Sequence, residues 1–317
     1  MSQVLVTGGA GFIGSHLVEL LLQQGHRVRV LDDLSSGSLE NLSSCQKQIQ
    51  FIRADVCDFE SVRKAASGID TLFHLAAAHS VQESMVDPDR YLRVNPLGTL
   101  QVLRAASALQ KIRVVYVSSS SVYGNPETIP FREDLVPAPL SPYGASKLVG
   151  EITCGLFSRG YGVPTVSLRY FNVYGPRQPM EGDYAKVIPK FLRQMSQDES
   201  PTVYGDGTQK RDFTYVEDVA AATAAAATTS LCQGDVFNIG NGEPHTVLEV
   251  VQAINQALGK NLEPTFVPLP AGEALLTMAD LHRAHQHLHF SPRVSFQEGI
   301  RRTVGWWQTQ GHARTVR

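Results

Sequence analysis

The chain begins with a short β-branched run, Gln3–Thr7, which leads directly into Thr7-Gly8-Gly9-Ala10-Gly11-Phe12-Ile13-Gly14 and then into a helix-period segment, Phe12–Gln24. This strand, glycine loop and helix constrain the fold more than any other stretch. Gly8, Gly11 and Gly14 have GxxGxxG spacing. The first permits a tight turn, the second lets backbone approach a pyrophosphate, and the third lets the helix pack closely on a sheet. The phosphates then lie at the positive N-terminus of the helix. The next expected strand, Arg27–Leu31, ends at Asp32, 18 residues after Gly14. A carboxylate there accepts hydrogen bonds from ribose hydroxyls and repels a 2′-phosphate. Asp33 follows instead of an arginine, so NAD is expected rather than NADP.

The same alternation continues. Gln50–Arg53, Asp70–Leu75, Ile112–Ser118 and Val163–Tyr170 read as strands, with helices over Pro88–Gln110 and Tyr143–Arg159. VLVTG and VVYVSS are continuous apolar runs, as expected of strands covered on both faces. After Tyr170 the segments become mixed and punctuated by Gly and Pro. The expected fold class is α/β: a Rossmann-type doubly wound parallel sheet with a smaller mixed α/β substrate-binding domain. The expected boundaries are 1–171 and 211–240 for the NAD-binding part, and 172–210 and 241–317 for the second. A length of 317 residues suits two domains of about 150.

The 28 Lys and Arg against 30 Asp and Glu leave a net charge of −2. Such a balance provides no basic field for nucleic acid or an anionic membrane. No run approaches the roughly 20 apolar residues of a membrane helix, and MSQVLVTGG lacks a basic targeting region. Cys45, Cys57, Cys154 and Cys232 are far apart, with no CxxC. Neither a disulfide framework nor a zinc ribbon is expected, and a cytoplasmic location is.

Ser141-Pro142-Tyr143-Gly144-Ala145-Ser146-Lys147 carries Tyr-x-x-x-Lys, with Ser141 as N-cap and Pro142 at the first helical position. Residues i and i+4 share a face, so Tyr143 and Lys147 are neighbours. An ammonium nearby should lower the tyrosine pKa and prepare it to exchange a proton with a sugar hydroxyl. Ser118–Ser121 closes a strand of the sheet, where parallel sheets bind ligands. His282, His285 and His289 could share a helix face, but no acidic or cysteine set accompanies them and no metal site is expected. Trp306 and Trp307, in an expected helix over 296–310, read as packing residues, and Cys154 as a packed thiol.

With these residues in place, the chain resembles the extended short-chain dehydrogenase/reductase superfamily, in its NAD-dependent nucleotide-sugar epimerase/dehydratase branch. It is similar there to UDP-hexose 4-epimerases of the UDP-glucose and UDP-N-acetylglucosamine type. The resemblance rests on TGGAGFIG, LDDLSSG, ADV at 54–56, HLAA at 74–77, VNPLGTL at 94–100, SSSSVYG, SPYGASK, LRYFNVYGPRQ at 168–178 and YGDGTQKRDFTYVEDVA at 204–220. It implies Ser119, Tyr143 and Lys147 as the catalytic set. It implies NAD, tightly bound, on the loop residues Gly8, Gly11, Phe12, Ile13 and Gly14. Asp32, Asp33, Ser36 and Gly37 would serve the adenosine side, with Asp55 and Val56 flanking the adenine. Leu75, Ala76 and Ala77 would line the cofactor, and Asn95 and Tyr170 would join Tyr143 and Lys147 beside it. A UDP-sugar would meet Ser80, Ser119, Ser120, Tyr143, Asn172, Val187, Tyr204, Arg211 and Thr277. Relatives commonly form homodimers through two helices, and the Leu- and Ala-rich stretch 97–109 is compatible with that.

Two positions sort the branches. Similar 4,6-dehydratases carry Asp-Glu after the catalytic serine, and similar decarboxylases place Glu at the second position; here they are Ser120 and Ser121. The resemblance thus implies 4-epimerisation through a transient 4-keto sugar. A 4-ketoreductase, another nucleotide-sugar enzyme of the superfamily (a UDP-glucuronate 4-epimerase, a decarboxylase or a dehydratase) and a silent dinucleotide-binding relative are the alternatives. Three residues depart from the family pattern: Pro270 and Leu275 where diphosphate-binding arginines are usual, and His79 near the cofactor. Thr277, a small residue at the gate for the sugar's C2 substituent, implies use of both UDP-glucose and UDP-N-acetylglucosamine.

Overall fold

The computed structural model describes residues 2–110, 112–179, 186–268 and 275–311. Its centre is a sheet of seven strands, all parallel, built from β1 (Gln3–Thr7), β2 (Arg27–Asp32), β3 (Gln50–Arg53), β4 (Thr71–His74), β5 (Arg113–Ser119), β6 (Thr165–Tyr170) and the late strand β11 (Gln233–Ile239). The spatial order is β11-β6-β5-β4-β1-β2-β3. The order reverses between β1 and β4, and the crevice beyond the carboxyl ends of these two strands is where a doubly wound sheet binds ligands. Six further short strands pair two by two outside the sheet: β7 (Val173–Tyr174) with β10 (Thr214–Tyr215), β8 (Thr202–Tyr204) with β13 (Thr265–Val267), and β9 (Lys210–Asp212) with β12 (Pro244–Thr246).

Alternation along the strands divides the core. Val4, Val6, Val28 and Val30 face α1 (Phe12–Gln23) and α7 (Val216–Ala226), while Leu5, Leu31 and Leu72 face α2 (Phe59–Ala65), α4 (Pro88–Leu109) and α5 (Pro142–Tyr161). The short α3 (Val81–Val86) precedes α4, and α9 (His282–Leu288) packs near β11. A separate core joins α6 (Val187–Ser196), α8 (Val247–Leu258) and α10 (Phe296–Trp306) through Phe191, Leu192, Ile254, Phe296 and Trp307. Each fully buried aliphatic or aromatic side chain contributes roughly 1.5–3 kcal/mol to this assembly.

The expected elements are present with small shifts at their ends. The strand expected from Val163 starts at Thr165, because Gly162 closes α5 in the left-handed region and Val163 and Pro164 complete the turn. The expected 296–310 helix stops at Trp306, and the backbone widens into a π turn over Trp307–Gly311. His289 is not on a helix face with His282 and His285, since it is the left-handed C-cap of α9. No metal-holding cluster occurs among the described residues, and none of their helices is long and apolar enough to cross a membrane. Trp307 and Cys154 are buried in core packing, as expected. Within the stretch 97–109, Val102, Leu103, Ala105 and Ala106 are buried against the chain's own sheet, while Leu97 and Leu100 are half-buried and Arg104 and Ala108 are exposed.

Candidate active site

The glycine loop has the geometry its spacing predicts. Gly8 has φ +72°, and a Cβ there would lie 2.6 Å from the Ala76 nitrogen. A Cβ on Gly14 would lie 2.1 Å from the Gly8 carbonyl oxygen, which is why α1 can start so close to the sheet. Gly11 is the N-cap of α1, with no side-chain cap and no acid in the first turn. The positive helix end therefore opens onto the β1–β4 crevice, and it fits a dinucleotide pyrophosphate. The buried Asp32 carboxylate accepts hydrogen bonds from the Ala10 and Leu34 nitrogens, both at 2.9 Å. Burial raises its pKa, and those two bonds oppose the rise. Asp33 caps its own turn by accepting from the Ser35 nitrogen and hydroxyl. Ser36 is exposed and Gly37 packs on Ala10. Asp55 accepts from the Cys57 nitrogen at 2.8 Å, and Val56 is buried beneath α4. Leu75, Ala76 and Ala77 follow β4 directly, half-buried beside the glycine loop.

Two expected cofactor contacts have their polar atoms engaged within the protein. The Asn95 carboxamide accepts from the Ala78 nitrogen at 2.8 Å and donates to the Ala78 carbonyl at 3.0 Å and to the Ser146 hydroxyl at 2.9 Å. It ties the loop after β4 to α5. The Tyr170 hydroxyl is paired with Thr223 in the core. Ser80 is likewise occupied, its hydroxyl capping α3 by accepting from the Glu83 nitrogen.

Tyr143 and Lys147 share the first turns of α5, with Ser141 capping and Pro142 leading, as the spacing predicts. Helix α5 comes close to β5 because Gly150 faces Tyr116, whose hydroxyl would lie 2.1 Å from a Cβ there. That approach lets the buried Lys147 ammonium donate to the Val117 carbonyl at 2.9 Å. Ser119, the last residue of β5, donates to the Ser121 hydroxyl at 3.1 Å and lies close enough to the Tyr143 hydroxyl to favour its phenolate. Tyr91 meets the Tyr143 ring edge-on at 6.3 Å. The electrostatics differ from expectation. Burial raises the Tyr143 pKa, and the Ser119 hydrogen bond only offsets part of this. Burial also pushes Lys147 down to about 8, against the attraction of Glu151. In the chain alone, desolvation outweighs the ammonium's pull on the phenol.

On the substrate side, Asn172 donates to the Thr277 hydroxyl at 3.3 Å, and the Asp212 nitrogen donates to the same hydroxyl at 3.4 Å. Arg211 lies opposite His245 in the β9–β12 pair, with a donor on the Lys210 carbonyl at 3.0 Å. Tyr204 at the end of β8 is exposed, with the Lys190 ammonium 4.7 Å above its ring. Val187 starts α6. His79 is exposed at the cleft, close enough to Lys186 to feel its charge, and crowding by the protein lowers its pKa. Leu275 is exposed. Pro270 lies outside the described residues.

Two buried groups escaped the sequence reading. Glu151 and Arg169 form a buried bidentate pair, at 3.0 and 2.8 Å, and Ser118 donates to the same carboxylate. Glu151 lies four residues after Lys147, a helix-face signal visible in the sequence, but its partner comes from β6. Asp212 is fully buried and accepts from the nitrogens of Asn241, Gly242 and Ala279 at 2.6, 3.0 and 2.9 Å. It joins the Arg211 strand to the Thr277 segment.

A seven-stranded parallel sheet, a glycine loop opening on its switch point, and a serine, tyrosine and lysine gathered at the end of β5 define an NAD-dependent enzyme of the short-chain dehydrogenase/reductase type. Residues 4–240 match the NAD dependent epimerase/dehydratase family, and the chain belongs to it. A UDP-glucose 4-epimerase of Mycolicibacterium smegmatis is 38% identical over 312 residues, covering 97% of this chain and 99% of that one. A UDP-N-acetylglucosamine 4-epimerase from Methanobrevibacter ruminantium, solved with UDP-N-acetylmuramic acid, superposes with a TM-score of 0.93 at 36% identity, covering 98% and 99% of the two chains. A UDP-glucuronic acid 4-epimerase from Bacillus cereus, solved with UDP-glucuronic acid and NAD, superposes with a TM-score of 0.89 at 36% identity, covering 96% and 99%. The cofactor is NAD, and the chain is an enzyme of the epimerase class.

Proposed function

We propose that the protein interconverts the C4 epimers of a UDP-hexose, acting on UDP-glucose and UDP-N-acetylglucosamine. The carrying observation is Ser119 near the Tyr143 hydroxyl, with a buried Lys147 one turn along the same helix and Ser120 and Ser121 where acid chemistry would need carboxylates. Bound NAD, held by the glycine loop and Asp32, supplies the hydride acceptor and donor at C4. Tyr143 takes the O4 proton and later returns it, while the Ser119 hydroxyl orients O4. Lys147 gives the developing phenolate the positive charge that burial otherwise denies it. Asn172 and Arg211 hold the diphosphate while the 4-keto ring turns and presents its other face. Thr277, fixed by Asn172 and Asp212, leaves space at the sugar's C2.

Replacing Tyr143 with Phe should lower kcat at least a hundredfold with the fold and bound NAD intact. Near-normal turnover would refute the assignment. NMR of products from a panel of UDP-sugars tests the substrate. The second reading, a UDP-glucuronate 4-epimerase, is favoured by the Lys186 ammonium close to His79. It requires the uronate to be turned over faster than either neutral sugar.

The outward faces of α4 and α5 also support a homodimer. Val149, Ile152 and Leu156 form an exposed apolar stripe along α5, with Leu92 exposed on α4, which packs beside it. Their spacing of three and four residues places them on one face. Light scattering should give twice the chain mass, and Ile152→Glu should halve it.

A further inference from the structure

The tyrosine, serine and lysine site leaves one buried cationic cluster unused, at the opposite end of the glycine loop. Arg177 belongs to the turn that follows β7. Its φ of +69° is a conformation that non-glycine residues seldom adopt. A glycine would fit that backbone more easily, so the side chain must supply a reason for the arginine. The guanidinium is largely buried and donates to three partners: the Asn41 carbonyl at 2.8 Å, the Glu19 carboxylate at 2.6 Å and His16 Nδ1 at 2.9 Å. His16 Nε2 meets the Pro176 carbonyl at 2.9 Å, and the guanidinium lies along the ring, with its Nε also 3.3 Å from Nε2. Burial and the guanidinium beside it push His16 down to about 4, so the ring stays neutral and can accept.

The partners form a line to the cofactor loop. Asn41, whose carbonyl receives Arg177, donates its own carboxamide to the Ala10 carbonyl at 2.8 Å. The Ser38 nitrogen donates to the same oxygen at 3.0 Å. The Ala10 nitrogen in turn donates to Asp32 at 2.9 Å. The glycine loop, the 33–42 loop and the ribose-facing carboxylate are thus braced as one unit, and Arg177 anchors that unit to the 172–178 turn.

The geometry points to Arg177 as a positioning residue for the adenosine half of NAD, acting through Asn41 and Ala10. It rests on the assignment of the glycine loop to NAD and adds a residue that touches neither cofactor nor substrate. The arginine is needed because one planar fork must meet a carbonyl, a carboxylate and a ring nitrogen at once; a lysine ammonium can pair with Glu19 but cannot span all three. The substrate side should be spared. Asn172, at the other end of the turn, is held independently by the Thr277 hydroxyl and by the bond from the Thr214 nitrogen to its carbonyl.

The test uses full-length protein stripped of NAD, with binding of NAD, ADP-ribose and UDP measured by calorimetry. Arg177→Lys and Arg177→Gln should raise Kd for NAD and for ADP-ribose at least tenfold and in the same ratio. UDP should bind within twofold of the parent, and saturating NAD should restore kcat to within twofold. Parent-like NAD affinity in a variant that still binds UDP would overturn the inference. So would loss of NAD affinity with ADP-ribose unaffected, or a kcat that saturating NAD does not restore. If both Arg177 variants fail to fold, Asn41→Ala cuts the same line one link further on and must weaken ADP-ribose tenfold; unchanged affinity there would also overturn it. A parent protein that binds no NAD would sink the cofactor assignment, and this inference with it.

Discussion

Lys147 is held where its charged form is disfavoured. It is 3% exposed, and burial brings its pKa from 10.5 to about 8. At about 1.4 kcal/mol per pH unit, this is a penalty on the order of 3 kcal/mol for keeping an ammonium there at neutral pH. Removing the Nζ donor deprives the Val117 carbonyl of a hydrogen bond, which takes back roughly 1–2 kcal/mol. Methionine has a similar length and no charge. Lys147→Met should therefore stabilise the NAD-free protein by about 1–2 kcal/mol at pH 7 and raise its Tm by a few degrees. The same change should lower kcat at least a hundredfold, since only the Ser119 hydroxyl then opposes the burial that raises the Tyr143 pKa. The pH dependence is specific. The folded pKa lies below the unfolded one, so between about 8 and 10.5 the unfolded chain binds more protons and parent stability rises with pH. The variant has no such group, so its advantage should shrink across that window. Urea unfolding of stripped protein at pH 7 and pH 9.5 measures both. A variant less stable than the parent at pH 7, or an advantage that grows with pH, would refute the reasoning.

Two other buried groups make predictions. Glu151→Leu leaves Arg169 charged and buried without its carboxylate, and should destabilise the fold by about 3–5 kcal/mol in urea unfolding. Adding Arg169→Met should recover at least half of that, because the pair's desolvation is then removed with it. Asp212→Asn must turn its NH2 toward a backbone N–H in either orientation, since both carboxylate oxygens accept from backbone nitrogens. It should raise KM for the UDP-sugar at least tenfold while NAD affinity, measured by titration, stays within twofold.

What could be read in the chain was local. The turn, the helix start and the acid at the end of β2 lie within 26 residues, from Thr7 to Asp32, and their geometry follows from glycine sterics and backbone polarity. Tyr143 and Lys147 share a face because they are four apart on one helix, and Ser119 closes its strand because a β-branched run ends there. What could not be read was long-range. Which residues of 97–109 cover the chain's own sheet and which face outward depended on how α4 packs, and periodicity alone does not say what an apolar face covers. The rise in the Tyr143 pKa, against the lowering that Lys147 led one to expect, follows from desolvation, a sum over neighbours drawn from α4, β5 and α5. Arg177, Glu151 and Asp212 pair with groups between 18 and 161 positions away. The sequence by itself determined the sheet, the cofactor loop and the identity of the reacting side chains, because each needs only neighbours along the chain. The tertiary structure alone decided which charges are buried together and which segments brace the site, because burial and pairing are properties of what the folded chain brings into contact.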